Sequence, residues 1–250
     1  MVLRIERSGG AALLILDWPE QRNALGPVEC REIADALRAL DYDGVHGVVV
    51  TGEGAFCAGG NLKGAVSRIN LSEEERRNIV YTAYQDVIRA LFEVPVVTIA
   101  AIDGPAIGLG FDIALACDCR FIGPSGWCMQ GWGRVGFAPG TGGEWLLRRL
   151  APNLLWRLLE DQPRIDAAMA EAWGIGEASG EMSARERALT RIRKLEEFSR
   201  DTIEAYVRLS RMDARLALEV HLGAAVNEQL KLLASPRVKE RVEQILKVSK

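Results

Sequence analysis

The chain has 250 residues, 48% hydrophobic and 26% charged, which suits one folded enzyme-sized domain with at most a small appendage and excludes a disordered chain. Its net charge of −3, with no basic run longer than pairs such as Arg76-Arg77 and Arg148-Arg149, argues against a nucleic-acid partner. No apolar stretch reaches the roughly 18 residues of a membrane span, and Met1-Val2-Leu3-Arg4 leads straight into a strand pattern, so no membrane partner and a cytoplasmic location are expected.

In chain order, residues 3–7 and 11–17 alternate around Gly9-Gly10 and predict two strands joined by a turn. Apolar residues at helical spacing follow over Pro27–Leu40, then a buried strand over Val45–Thr51. The run from Ser72 to Val94 opens on a Ser/Glu helix start and ends at Pro95. Val96–Ile102 predicts a second buried strand closed by Asp103-Gly104-Pro105, Gly108–Cys117 a helix, Cys119–Ile122 a short strand and Thr141–Leu150 another helix. Strands alternating with helices predict a mostly parallel sheet with right-handed crossovers. After Glu186 no strand pattern recurs, and Leu195–Leu209, Asp213–Leu233 and Pro236–Val248 predict three helices. The expected plan is an α/β core over residues 1–190 and a helical region over 191–250. Five cysteines, two of them flanking Asp118 in an apolar segment, read as buried thiols rather than a disulfide or metal set. His46 and His221 are too far apart in the chain for a two-histidine metal motif.

Two glycine-rich turns stand out. GEGAFCAGGNLKG at 52–64 and AIDGPAIGLGFD at 101–112 each follow a buried strand. The first is no phosphate loop, because the Gly-Lys-Ser/Thr that such a loop requires is replaced by Asn61-Leu62-Lys63-Gly64. Two bare turns offer two sets of backbone N–H groups that can converge on one oxygen, and the second leads into a helix whose N-terminal dipole favours an anion. That is the chemistry of an oxyanion hole for a carbonyl gaining charge as an enolate forms. Tight packing of two turns is the competing explanation of the same glycines.

Together with PEQRNALGP at 19–27 and VGFAPGTGGEWLLRRL at 135–150, these blocks resemble, in order and spacing, the enoyl-CoA hydratase/isomerase (crotonase) superfamily over residues 10 to about 180. The resemblance implies an α/β fold, a crotonase-like spiral of ββα units with a C-terminal helical region that makes trimers or hexamers. It implies a substrate that is an acyl thioester of CoA or of an acyl carrier protein, with no tightly bound cofactor and no metal. By motif position the carbonyl-binding N–H groups fall on Gly60 and Leu109. Main chain contacting CoA falls on Ala24, Ala58 and Leu62, with Lys63 as a phosphate partner.

Hydratases of this family resemble one another in carrying two glutamates, and here those positions hold Asp112 and Trp132. An indole cannot transfer a proton at neutral pH, so hydration is disfavoured and isomerisation, decarboxylation or carbon–carbon cleavage preferred. Asp112 and Glu144, the latter at a helix start, compete for the role of acid–base group. Trp132, Tyr84 and Met129 are expected around the acyl pocket. The 4-chlorobenzoyl-CoA dehalogenase branch resembles this chain at Trp132, but its aspartate nucleophile would fall on Gly140. Asp118 is expected as a buried hydrogen-bonding group. Two other functions remain open, a catalytically reduced binding subunit and a carbon–carbon hydrolase of a diketone that is no CoA ester.

Overall fold

The computed structural model describes residues 3–62, 64 and 70–248. Strands β1 (Leu3–Ser8), β2 (Ala11–Leu16), β3 (Gly47–Gly52), β4 (Val97–Ile102), β6 (Cys119–Ile122) and β8 (Glu177–Ala178) form one sheet in the order β1-β2-β3-β4-β6-β8. β1 pairs antiparallel with β2, Leu3 opposite Leu16, and the remaining pairs are parallel. Every residue of β2 and β3 is buried, which is why both read as unbroken apolar runs: a parallel sheet is covered on both faces. Ala12, Leu14, Leu16, Val48, Val50 and Ile102 turn to the larger core beneath α1 (Pro27–Ala39) and α2 (Thr82–Glu93). The alternate residues Leu13, Ile15, Val49, Ile99 and Phe121 turn the other way, onto Ala184, Ala188 and Ile192. With a side-chain period of two, a one-residue slip would exchange these two sets, so burial on both faces pins the register.

A second, two-stranded sheet pairs β5 (Pro105–Ile107) with β7 (Trp127–Met129). Cys57 bridges to Ala106, its N–H bonding the Pro105 carbonyl and its carbonyl taking the Ile107 N–H. This ladder brings the turn after β3 onto the turn after β4. A methyl group on Gly104 would sit 1.9 Å from the Gly54 carbonyl oxygen, so close packing of the turns accounts for that glycine.

The helices complete the layers. Ser72 Oγ accepts the Glu75 N–H while Glu75 Oε2 accepts the Ser72 N–H, the expected helix start, and a π-helical stretch Arg76–Tyr81 then leads into α2. α3 (Leu109–Ala116) is buried all round. It is followed by α4 (Gly143–Leu150), α5 (Leu154–Glu160), α6 (Ala167–Ala172), α7 (Ala184–Leu195), α8 (Arg200–Leu233) and α9 (Pro236–Val248). The expected helical tail differs in two respects. Residue 190 falls inside α7, which covers one face of the sheet and so belongs to the core. The helices expected over Leu195–Leu209 and Asp213–Leu233 are instead one 34-residue helix, α8. α8 is tied to the core by Arg211, buried at 4% exposure, which donates to the carbonyls of Phe92, Val94 and Val96 and pairs with Asp118. Asp118 also accepts the Thr98 N–H at 2.7 Å, the hydrogen-bonding part its sequence position suggests. No described helix is long and apolar enough to cross a membrane.

Candidate active site

The two glycine turns meet at one cavity of about 160 Å³. From the first turn, Leu25 N–H bonds the Gly59 carbonyl and Asn61 N–H bonds the Leu25 carbonyl, which holds Gly60 between them. Gly59 has φ +100, and a methyl group there would lie 2.8 Å from the Ile107 carbonyl oxygen and 3.8 Å from Leu109 N; only glycine takes both that conformation and that approach. Gly60 differs. A methyl group on it would meet nothing within 4 Å, and Gly60 itself lines the cavity. From the second turn, Gly108 N–H is held by the Met129 carbonyl at 3.0 Å, and Leu109 opens α3 as its first residue. The N–H groups of Gly60 and Leu109 donate to no described residue. The helix dipole of α3 points its positive end at the same place.

The opposite walls are Tyr81, Tyr84, Trp132, Val135, Phe137 and Leu233, with Thr141, Gln229, Asn61 and Arg76 as polar members. Among the described lining residues Arg76 is the one charged group, and none is a carboxylate. Arg76 and Tyr81 mark the two ends of the π-helical stretch, a local widening that often accompanies functional sites.

Gly60, Leu109, Ala58, Leu62, Trp132 and Tyr84 line one cavity. Lys63 lies outside the described residues. Ala24 sits in the turn beside the cavity rather than on its wall, and Ala58 N–H is taken by the Arg22 carbonyl, leaving its own carbonyl. Met129 is corrected from pocket wall to support: it is buried in β7 and contributes the carbonyl that fixes Gly108.

The two acids stand off the described cavity wall. Asp112, on the first turn of α3, is 1% exposed and absent from the cavity wall. It lies behind Trp132 and Thr141. The indole Nε1–H donates to its Oδ2 at 3.1 Å and the Thr141 hydroxyl to the same oxygen at 2.5 Å, while Oδ1 rests against Gly143, where a methyl group would come within 1.9 Å. Burial pushes its carboxyl up to about 7; the Thr141 hydrogen bond opposes this, the Glu144 charge adds to it, and the Trp132 bond opposes it. Glu144 turns away from the cavity toward α8, with Oε1 4.0 Å from His221 Nδ1. Its Oε2 is buried and unpartnered among the described residues, and burial raises its carboxyl above the ordinary value. Neither acid is among the described residues that line the cavity.

Thr141 is the residue the sequence reading passes over. It stands inside the Pro139–Gly143 stretch of the fourth motif, flanked by glycines that draw attention to the backbone instead. Its loop is held by two glutamines. Gln85 Nε2 donates to the Gly140 carbonyl at 2.9 Å and Gln229 Nε2 to the Ala138 carbonyl at 3.0 Å. Gln229 and Leu233 come from α8, some ninety positions along the chain, and no local pattern marks them.

The enoyl-CoA hydratase/isomerase family profile matches residues 6–245. Among curated proteins, the enoyl-CoA hydratase domain-containing protein 2, mitochondrial, of Bos taurus is 31% identical over 222 residues, spanning 87% of this chain and 74% of that one. A probable enoyl-CoA hydratase of Rhodobacter capsulatus is 35% identical over 149 residues, 59% of this chain, and the match spans only 56% of that relative's length. Among solved structures, an enoyl-CoA hydratase from Bacillus halodurans superposes with a TM-score of 0.89 over 97% of this chain and 99% of that one, a likeness of fold at 23% identity. By the extent of the family match and by its architecture, the chain belongs to the enoyl-CoA hydratase/isomerase, or crotonase, family.

Proposed function

We propose that this protein is a crotonase-type enzyme that binds an acyl thioester and stabilises its enolate with the N–H groups of Gly60 and Leu109. One observation carries the reading: Gly60 and Leu109, whose N–H groups donate to no described residue, line a mostly apolar cavity whose described walls hold no carboxylate. Such donors act where charge develops on the carbonyl oxygen, and removing one typically raises a barrier by ~3 kcal/mol. Hydration needs an acid and a base positioned around a water, whereas neither Asp112 nor Glu144 is among the described residues that line this cavity. The reaction is accordingly isomerisation, decarboxylation or carbon–carbon cleavage at the α-carbon rather than addition of water. The thioester is that of CoA or of an acyl carrier protein, with the main chain at Ala24, Ala58 and Leu62 along its path. The enzyme works as a homotrimer or a pair of trimers. An acid-free wall equally suits a binding subunit that holds an acyl thioester without turning it over, and the test separates the two.

Crotonyl-CoA and butyryl-CoA are offered to the purified chain in deuterated water. Negligible hydration of the first and measurable deuterium entry at the α-carbon of the second are expected. Gly60→Pro, which deletes one donor in a loop, should lower that exchange by ~10² or more while the far-ultraviolet dichroism is unchanged. Robust hydration by the wild type overturns the preference against hydratase chemistry, and tight binding without exchange selects the binding subunit.

A further inference from the structure

A buried acid with no face on the cavity cannot itself reach a bound substrate. Asp112 is 1% exposed, both donors to it converge on Oδ2, and Oδ1 is closed off by Gly143. Two described residues both line the cavity and donate to Asp112, Thr141 and Trp132. Thr141 lines the cavity, is itself buried at 2% exposure, and directs its hydroxyl to Asp112 Oδ2 at 2.5 Å. Trp132 has the same two contacts, but its indole N–H is a donor only and cannot pass a proton on. A hydroxyl both accepts and donates.

We propose that Thr141 is the group that exchanges a proton with the α-carbon of the bound thioester, with Asp112 behind it as the proton store. The inference rests on the enolate reading above. In the forward direction the α-carbon–hydrogen bond breaks and its proton joins Thr141 Oγ1, as the hydroxyl proton that Thr141 held moves to Asp112 Oδ2. The electron pair released becomes the enolate, whose oxygen is held by the N–H groups of Gly60 and Leu109. In the reverse direction Thr141 protonates the carbanion carbon and is reprotonated by Asp112. Thr141 ends each cycle unchanged, and only Asp112 alternates between carboxylate and carboxylic acid. No co-reactant is needed.

Two features fit this role. A carboxyl lifted to about 7 has both forms populated near neutral pH. The groups that bear on it are the Thr141 hydroxyl, the Trp132 indole and Glu144 from α4, whose Oε1 lies 4.0 Å from His221 Nδ1 of α8. The Thr141 loop is also fixed from two sides, by Gln85 and Gln229. A positioned hydroxyl loses little on proton transfer to rotational averaging.

The test uses Thr141→Val, which keeps the shape and removes the hydroxyl, and Thr141→Ser, which keeps the hydroxyl. For each, butyryl-CoA affinity is measured by calorimetry and α-deuterium entry by mass spectrometry. Thr141→Val should bind within about threefold of wild type yet exchange ~10²–10⁴-fold more slowly, and Thr141→Ser should stay within about tenfold of wild type. Should Thr141→Val prove unfolded by dichroism, Thr141→Ala takes its place with the same expectation. Wild-type exchange in the hydroxyl-free variant overturns the proposal, as does a serine variant as slow as the valine one. A wild type that itself neither binds nor exchanges butyryl-CoA overturns the enolate reading and this inference with it, whereas the variant results overturn this inference alone.

Discussion

Burial of Asp112 couples its ionisation to the stability of the whole chain. An unfolded aspartate titrates near 3.9, and here burial lifts the folded value to about 7. The folded state therefore binds the proton more tightly. The contribution is fully present below about pH 4, declines as pH rises, and is gone once pH passes the folded value near 7. At 1.36 kcal/mol per unit the span is of order 4 kcal/mol. Asp112→Asn keeps a neutral side chain in the same nest and should lack this slope. Thermal unfolding at pH 4 and at pH 8 should show the asparagine variant gaining on the wild type as pH rises; parallel curves would mean that Asp112 is already ionised in the fold at pH 4. At this scale the glycines were legible in the sequence because the backbone conformation of Gly59 and the close approach at Gly104 need them. Which way Asp112 faces was not. Its orientation is set by Trp132 and Thr141, twenty and twenty-nine residues away in the chain, and no local pattern encodes such contacts.

Among the elements, α8 shows both how burial holds a helix and why its sequence misleads. Its inner face carries Ile203, Val207, Ala214, Leu218 and Leu222, and in the middle of that face stands a buried arginine. Arg211 and the apolar side chains on the outer face blur the 3.6-residue period, so residues 210–212 read as a break that does not exist. The same arginine is the element's strongest anchor. Arg211→Ala leaves the Phe92, Val94 and Val96 carbonyls and the Asp118 carboxylate without their donor. Removing one partner of a buried ion pair destabilises by roughly 3–5 kcal/mol. Urea unfolding should show a loss of that size, while Lys231→Ala, which removes an exposed pair with Glu228, should stay within about 0.5 kcal/mol of wild type. A loss below about 1 kcal/mol for Arg211→Ala would mean that water replaces the lost donor and that α8 is held by its apolar face alone.

At the scale of the molecule, the order of layers follows from strands that are apolar on both sides. Such strands need two covers, which is why the parallel sheet was legible from β2, β3 and β4 and why α7 had to return beneath them even though its own sequence is highly charged. What the chain leaves uncovered is the outer face of α8. Tyr206, Leu209, Leu216 and Val220 are 70–82% exposed, and on a helix they fall within one arc opposite the face that packs on the core. At 1.5 Å per residue the stripe from Tyr206 to Val220 runs about 20 Å along the helix, so it is more contiguous than the isolated apolar side chains that surfaces ordinarily carry. The proposed trimer would bury it against a second copy of the chain, and because α8 also supplies Gln229 and Leu233 to the cavity wall, assembly and site geometry would then be coupled. Leu216→Lys combined with Val220→Lys touches neither the cavity nor the core. Light scattering at micromolar concentration should find the wild type at three or six times the chain mass and the double variant shifted toward the monomer, with butyryl-CoA binding weakened as α8 loses its support. A wild type that is already monomeric would remove the trimer and leave the stripe to another partner. A double variant that stays trimeric would place the contact elsewhere on the molecule.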